Sequence, residues 1–161
     1  MDKEHIAMIA REVAKNISSS GIQNSITLGI AKKLAAAVEE KAKKIGVNAV
    51  VAVTDSSARP VCVECMDNSF IASYDIAMGK AYTVVALKMS TAALKGMSQP
   101  GGSLYGIQHT NGGKIVIFGG GDPLVYNSQI IGGLGVSGGS EEQDTALSAY
   151  GASILENIIN S

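Results

Sequence analysis

Phe118-Gly119-Gly120-Gly121-Asp122-Pro123-Leu124-Val125-Tyr126-Asn127-Ser128-Gln129-Ile130-Ile131-Gly132-Gly133-Leu134-Gly135-Val136-Ser137-Gly138-Gly139-Ser140 is the stretch on which the fold turns. Two apolar runs, 124–126 and 130–136, flank Asn127-Ser128, a two-residue turn of the kind that joins antiparallel strands. Ser140 then opens a helix, and Gln143 three residues on completes a capping box. Leu147, Tyr150, Ile154 and Ile158 form its inward face. Gly119-Gly120-Gly121 looks at first like a phosphate loop, but that chemistry needs a helix to start at once so that free N–H groups face the anion. Here Pro123 and a strand follow, with no G-K-[ST]. The run therefore reads as a corner where the backbone passes close to another strand, a subunit or a flat ligand. Gly138-Gly139-Ser140 does precede a helix, yet Glu141, Glu142 and Asp144 already load its first turn with negative charge and would repel a phosphate.

Outward from this hairpin, 114–118 reads as a further strand, and 70–90 as a helix apolar almost all round, hence covered on more than one side. Residues 47–54 and 61–66 pair as strands across Asp55-Ser56-Ser57-Ala58-Arg59-Pro60. A helix over 27–45 carries Thr27 as N-cap and Gly46 as stop, with Ala31, Leu34, Ala35, Val38, Ala42 and Ile45 as its buried stripe. The leading helix spans 2–18: Ile6, Ile9, Ala10, Val13 and Ile17 share one face, and Ser18-Ser19-Ser20-Gly21 follows as a linker. A helix this short is marginal alone in water, so its stripe needs a partner. Residues 1–20 are thus a detached amphipathic helix and linker, and 21–161 one domain. Hairpin-linked strands flanked by helices give an α+β fold with an antiparallel sheet.

The chain has 161 residues, 46% hydrophobic and only 17% charged. So little charge on a small domain points to apolar surface covered by further copies of the chain, a homo-oligomer. A net charge of −1 with scattered lysines, seven aromatic residues and no Trp argues against a nucleic-acid partner. No apolar run approaches the roughly 20 residues that span a bilayer, and no basic n-region marks a leader, so the expectation is a cytoplasmic protein without a membrane partner.

Cys62 and Cys65 lie three apart in a strand, where they point to opposite faces, and no second pair completes a zinc site; they are structural. Lys80 on an apolar helix needs an acid, Asp75 or Asp144, and structural pairing outweighs catalysis there. The two histidines are His5 on the leading helix and His109 in the loop Tyr105-Gly106-Ile107-Gln108-His109-Thr110-Asn111. No G-x-S-x-G elbow or other nucleophile–base pair is evident, so a ligand-binding protein is expected before a self-sufficient enzyme.

Met66-Asp67 with Ala72-Ser73, Ile76-Ala77 and Lys80-Ala81, then 118–124 and 131–139 with Gln143-Asp144 and Gly151, resemble the GlcG/HbpS-like family over about 27–158. The segment from Pro100-Gly101 through Tyr105-Gly106 to Asn111 is most similar to the C-terminal domain of PduO-type proteins. The resemblance implies a profilin-like fold, homo-oligomers and, in several members, haem. It makes His109 the candidate axial ligand, His5 a weaker one, and Tyr105, Lys80, Gly119, Gly120, Gly121 and Pro123 candidate cofactor contacts. The chain departs from the branch in lacking the adenosyltransferase domain and in Asn68, where Gly is usual. The leading helix resembles encapsulation peptides that carry cargo into bacterial microcompartments, which implies shell-protein partners through residues 1–20 and a lumen location. The reading is a haem- or tetrapyrrole-binding accessory protein of corrinoid metabolism. A small corrinoid-processing or reductase enzyme is the alternative, with corrinoid as its ligand and Lys80 and Asp144 in its site. An assembly module without ligand is the third.

Overall fold

The computed structural model describes the backbone of residues 3–161 and the side-chain surroundings of residues 4–13 and 24–161. Its helices are α1 (Lys3–Asn24), α2 (Leu28–Lys44), α3 (Ile71–Leu87), α4 (Thr91–Met97) and α5 (Glu141–Ile159). Strands β1 (Val50–Asp55), β2 (Pro60–Cys65), β3 (Gly121–Tyr126) and β4 (Gln129–Ser137) form one antiparallel sheet in the order β2-β1-β4-β3. The α+β architecture read from the sequence is the observed one.

Local chemistry sets most of these boundaries. Thr27 caps α2 by accepting from the Ile30 N–H, and Gly46 follows at φ 71°, past the helix end. The Ser140–Gln143 capping box on α5 is complete in both directions. Asn127 and Ser128 hold φ of 49° and 62°, the left-handed pair that a tight hairpin turn requires. Three sequence expectations fail within residues 24–161. Residues 114–118 form no strand; the Val116 N–H is taken by Thr83 Oγ1 at 2.9 Å, so the segment lies on α3 and leaves the ladder. The predicted helix over 70–90 ends at Leu87, where Lys88 turns left-handed, and α4 is a separate helix. Ile45 is exposed and not part of the α2 stripe.

The sheet is covered on both faces. Val51, Val53, Leu134 and Val136 pack with Leu34 and Val38 of α2 and Leu147 and Leu155 of α5. On the other face Val50 and Ala52 meet Ala77 and Ala81 of α3. Glycine makes that second contact close. A Cβ on Gly135 would run into the Ala77 carbonyl, and one on Gly133 into that of Ala81. The alternation Gly133-Leu134-Gly135-Val136 thus separates a flat face for α3 from a bulky face for α2 and α5.

Helix α1 continues through Ser18-Ser19-Ser20-Gly21, where the sequence predicts a linker. Each of those residues costs under about 1 kcal/mol relative to Ala in a helix, too little to fix a break. Ile6, Met8, Ile9 and Val13 are exposed on α1, so the apolar stripe has no cover there.

Candidate functional site

The glycine run and the loop after α4 carry nearly all the residues expected to act, and the structure treats them oppositely. Gly119, Gly120 and Gly121 are buried. The Gly119 N–H donates to Glu141 Oε1 at 2.9 Å, the Gly121 N–H to Thr91 Oγ1 at 2.9 Å, and the Gly120 carbonyl accepts from the Val136 N–H at 2.8 Å. Behind them Lys80, wholly buried, donates to Asp144 Oδ2 at 2.9 Å and to the Val136 carbonyl at 2.7 Å, with the Phe118 ring 5.0 Å away. Burial pulls the Lys80 ammonium below the ordinary lysine range, and Asp144 opposes that shift. Asp144 is itself held by the Gly139 N–H at 2.9 Å. What the glycine backbone approaches here is its own chain: Lys80, Thr91, Glu141, Asp144 and Thr145. Pro123 lies on β3, opposite Gly133.

The loop between α4 and β3 is the open counterpart. It has two short 3-10 turns, Ile107–His109 and Asn111–Gly113. His109 is exposed and Tyr105 is 65% exposed. Asn111 reaches back so that its Nδ2 donates to the Tyr82 phenol oxygen at 3.1 Å, and Lys114 Nζ stands 5.4 Å over the Tyr82 ring. Between this loop, α3 and the β1–β2 turn lies a groove of about 390 Å³, lined by Pro60, Asp75, Met78, Gly79, Tyr82, Lys114 and neighbours. The sequence reading missed Met78, Gly79, Tyr82 and Lys114. A signal was available: Asp75, Met78, Gly79 and Tyr82 fall at i, i+3, i+4 and i+7, one stripe of α3.

A smaller pocket of about 300 Å³ lies over the start of α3, where Phe70, Ile76 and Phe118 face Ser73, Ser137 and Asp144. Phe70 and Ile71 beside it are the most exposed large apolar side chains described. On the other side of the molecule Glu39 and Glu64 share an open hollow. Burial, then Glu64, push the Glu39 carboxyl up to about 7. Cys62, 3.4 Å from Glu64 Oε1, is pushed up to about 11, chiefly by burial, and is no ready nucleophile at neutral pH. Cys62 is buried and Cys65 exposed, as their strand positions imply. His5 is exposed on α1 and has no neighbouring metal-ligand cluster; among the described residues no three His, Cys, Asp or Glu side chains converge on one.

The chain resembles known proteins over most of its length. The model of a family described as "Haem degrading protein HbpS-like" matches residues 26–153. Over 123 residues the chain is 48% identical to an uncharacterized 15.0 kDa protein from the dhaT-dhaS intergenic region of Citrobacter freundii, covering 76% of this chain and 87% of that one. It is 36% identical over 148 residues to the corrinoid adenosyltransferase PduO of Salmonella typhimurium, covering 87% of this chain but only 44% of that protein. The fold superposes on the crystal structure of the PduOC:haem complex with a TM-score of 0.77 at 35% identity, over 80% of this chain and 94% of that one.

Proposed function

The chain belongs to the HbpS-like family, and from that membership we propose that it binds haem as an accessory protein of corrinoid metabolism in a bacterial microcompartment. The observation that carries the reading is the 35% identity to a domain crystallised with haem, joined to the open groove beside the loop that bears His109 and Tyr105. The donor set fits the group. Exposed imidazole, the Met78 thioether and the Tyr82 phenol are side-chain types that ligate haem iron. Haem, when bound, supplies an iron centre for electron or small-ligand chemistry. The chain's own residues would hold the macrocycle, limit water around it and offer an imidazole nitrogen to the iron, for which His109 is the first candidate and His5 the second.

Titrating the purified protein with haemin tests this. A saturable, shifted Soret band at one haem per site supports it, and a folded protein with no such band refutes it. His109→Ala alters the position and shape of the band if that imidazole is axial; a change with His5→Ala instead moves the assignment to α1.

Corrinoid processing is the second reading, favoured by the likeness to PduO. Because the chain spans less than half of that protein, the adenosyltransferase activity is not carried over. Corrinoid reduction, assayed with the chain alone and with a separate adenosyltransferase, discriminates the two. For location, the exposed stripe of Ile6, Ile9 and Val13 supports docking of residues 1–20 on shell proteins. Removing those residues abolishes co-sedimentation with shells on this reading, and leaves haem binding intact if His109 rather than His5 is the ligand. Exposed Phe70 and Ile71 support self-association of the domain.

A further inference from the structure

The groove on α3 has a polarity that none of the matches assigns. Asp75 and Tyr82 are seven residues apart on the helix, so about 10 Å separates the two ends. Met78, Val116, Pro60 and Ala58 give the middle an apolar lining. Gly79 sets its width: a Cβ there would stand 2.7 Å from Val116 Cγ2 and 3.2 Å from the Lys114 carbonyl, so the bare glycine lets 114–116 lie down as a wall. Lys114 ends that wall, exposed over the Tyr82 ring, whose hydroxyl is fixed by Asn111. Among the described residues Lys114 enters no ion pair, whereas nearby Arg59 is bound to Asp55 Oδ2 at 2.8 Å.

One end of the groove thus carries a carboxylate and the other a free ammonium, with a strip of apolar surface between. A flat apolar ring system with carboxylates along one edge matches that pattern in a single orientation, acids toward Lys114 and away from Asp75. We propose that this groove seats the edge of a tetrapyrrole and that Lys114 holds a propionate. The inference rests on the haem-binding reading above and adds to it the residue that orients the ligand. Its area covers one edge only; the other face is left to a second copy or to the 99–113 loop.

Spectrophotometric titration of the full chain with haemin and with haemin dimethyl ester, whose acids are masked, tests the assignment. Lys114→Gln weakens haemin binding about tenfold, the worth of one charge-assisted contact, and Lys114→Arg keeps most of the affinity. The ester binds the wild type as weakly as haemin binds the Gln variant, and the Gln variant no longer distinguishes ester from acid. Met78→Trp, which fills the middle of the groove, weakens both ligands. Lys114 is exposed, so its variants fold, and circular dichroism checks this. If the wild type binds haemin while the Gln variant, the Trp variant and the ester all bind equally well, the groove is not the site and haem binding stands. If the wild type shows no Soret change at all, the haem-binding reading itself falls, and this inference with it.

Discussion

Gly120 and Gly113 both hold positive φ, 111° and 78°, yet they sit in opposite surroundings. A Cβ on Gly120 would stand 2.5 Å from Lys80 Nζ, 2.7 Å from the Val136 carbonyl and 2.8 Å from Asp144 Cβ, whereas one on Gly113 meets nothing within 4 Å. The first glycine is closed over by its own chain around a buried ion pair; the second borders a groove that stays open. Glycine density therefore says only that main chain is exposed to a neighbour. Whether the neighbour is the protein or a guest is decided by what the rest of the fold supplies. In the 119–121 run α3, α4 and α5 supply it, and beside Gly113 nothing does.

That contrast is sharpened most by removing the charge that closes the first region. Asp144→Ala leaves Lys80 buried without a counter-ion and costs about 3–5 kcal/mol in urea unfolding, while Lys80→Met with Asp144→Leu recovers most of the loss. Next comes a direct pairing of the two glycines. Gly120→Ala costs about 2–4 kcal/mol from left-handed strain plus overpacking, against about 1–2 kcal/mol for Gly113→Ala from strain alone. Equal costs at the two sites break the comparison. The smallest effect is at Glu141, which accepts from the Gly119 N–H and pairs with Lys95 at 2.6 Å. The Gly119 N–H first, then Lys95, hold its carboxyl below the ordinary value of 4.5. Its contribution is therefore complete above about pH 4.5 and is lost as pH falls through the lower folded value. Glu141→Gln removes roughly 0.5–1 kcal/mol at neutral pH, discounted for its exposure, and flattens stability between wild type and variant in acid.

The parts of the fold legible in the sequence are those decided within a few residues. The Asn127-Ser128 hairpin, the Thr27 cap and the Ser140–Gln143 box each depend on local hydrogen bonds and φ preferences. What was lost depends on distant partners. Residues 114–118 have the composition of a strand, but Thr83 intercepts the Val116 N–H, and a strand without a neighbour is only an extended segment. Lys80 was narrowed to two acids; the choice of Asp144, 64 residues on, needed the whole α3–β4–α5 stack to be built. The candidate site residues fall into two settings. The structure places His109 and Tyr105 on the exposed loop, but it closes Gly119, Gly120, Gly121 and Lys80 off against the chain's own helices. The α3 groove went unseen because a helix apolar all round does not announce which of its faces the rest of the chain leaves bare.

Pro123 in β3 has a consequence for how copies of this protein can meet. β3 is an outer strand, paired only with β4. Proline has no amide proton to offer there, so an incoming strand finds the hydrogen-bonding rim interrupted. Growth by zipping sheets edge to edge, the geometry of fibrils, is discouraged along that border. At high concentration, contacts through helices and loops are then favoured over growth along that edge.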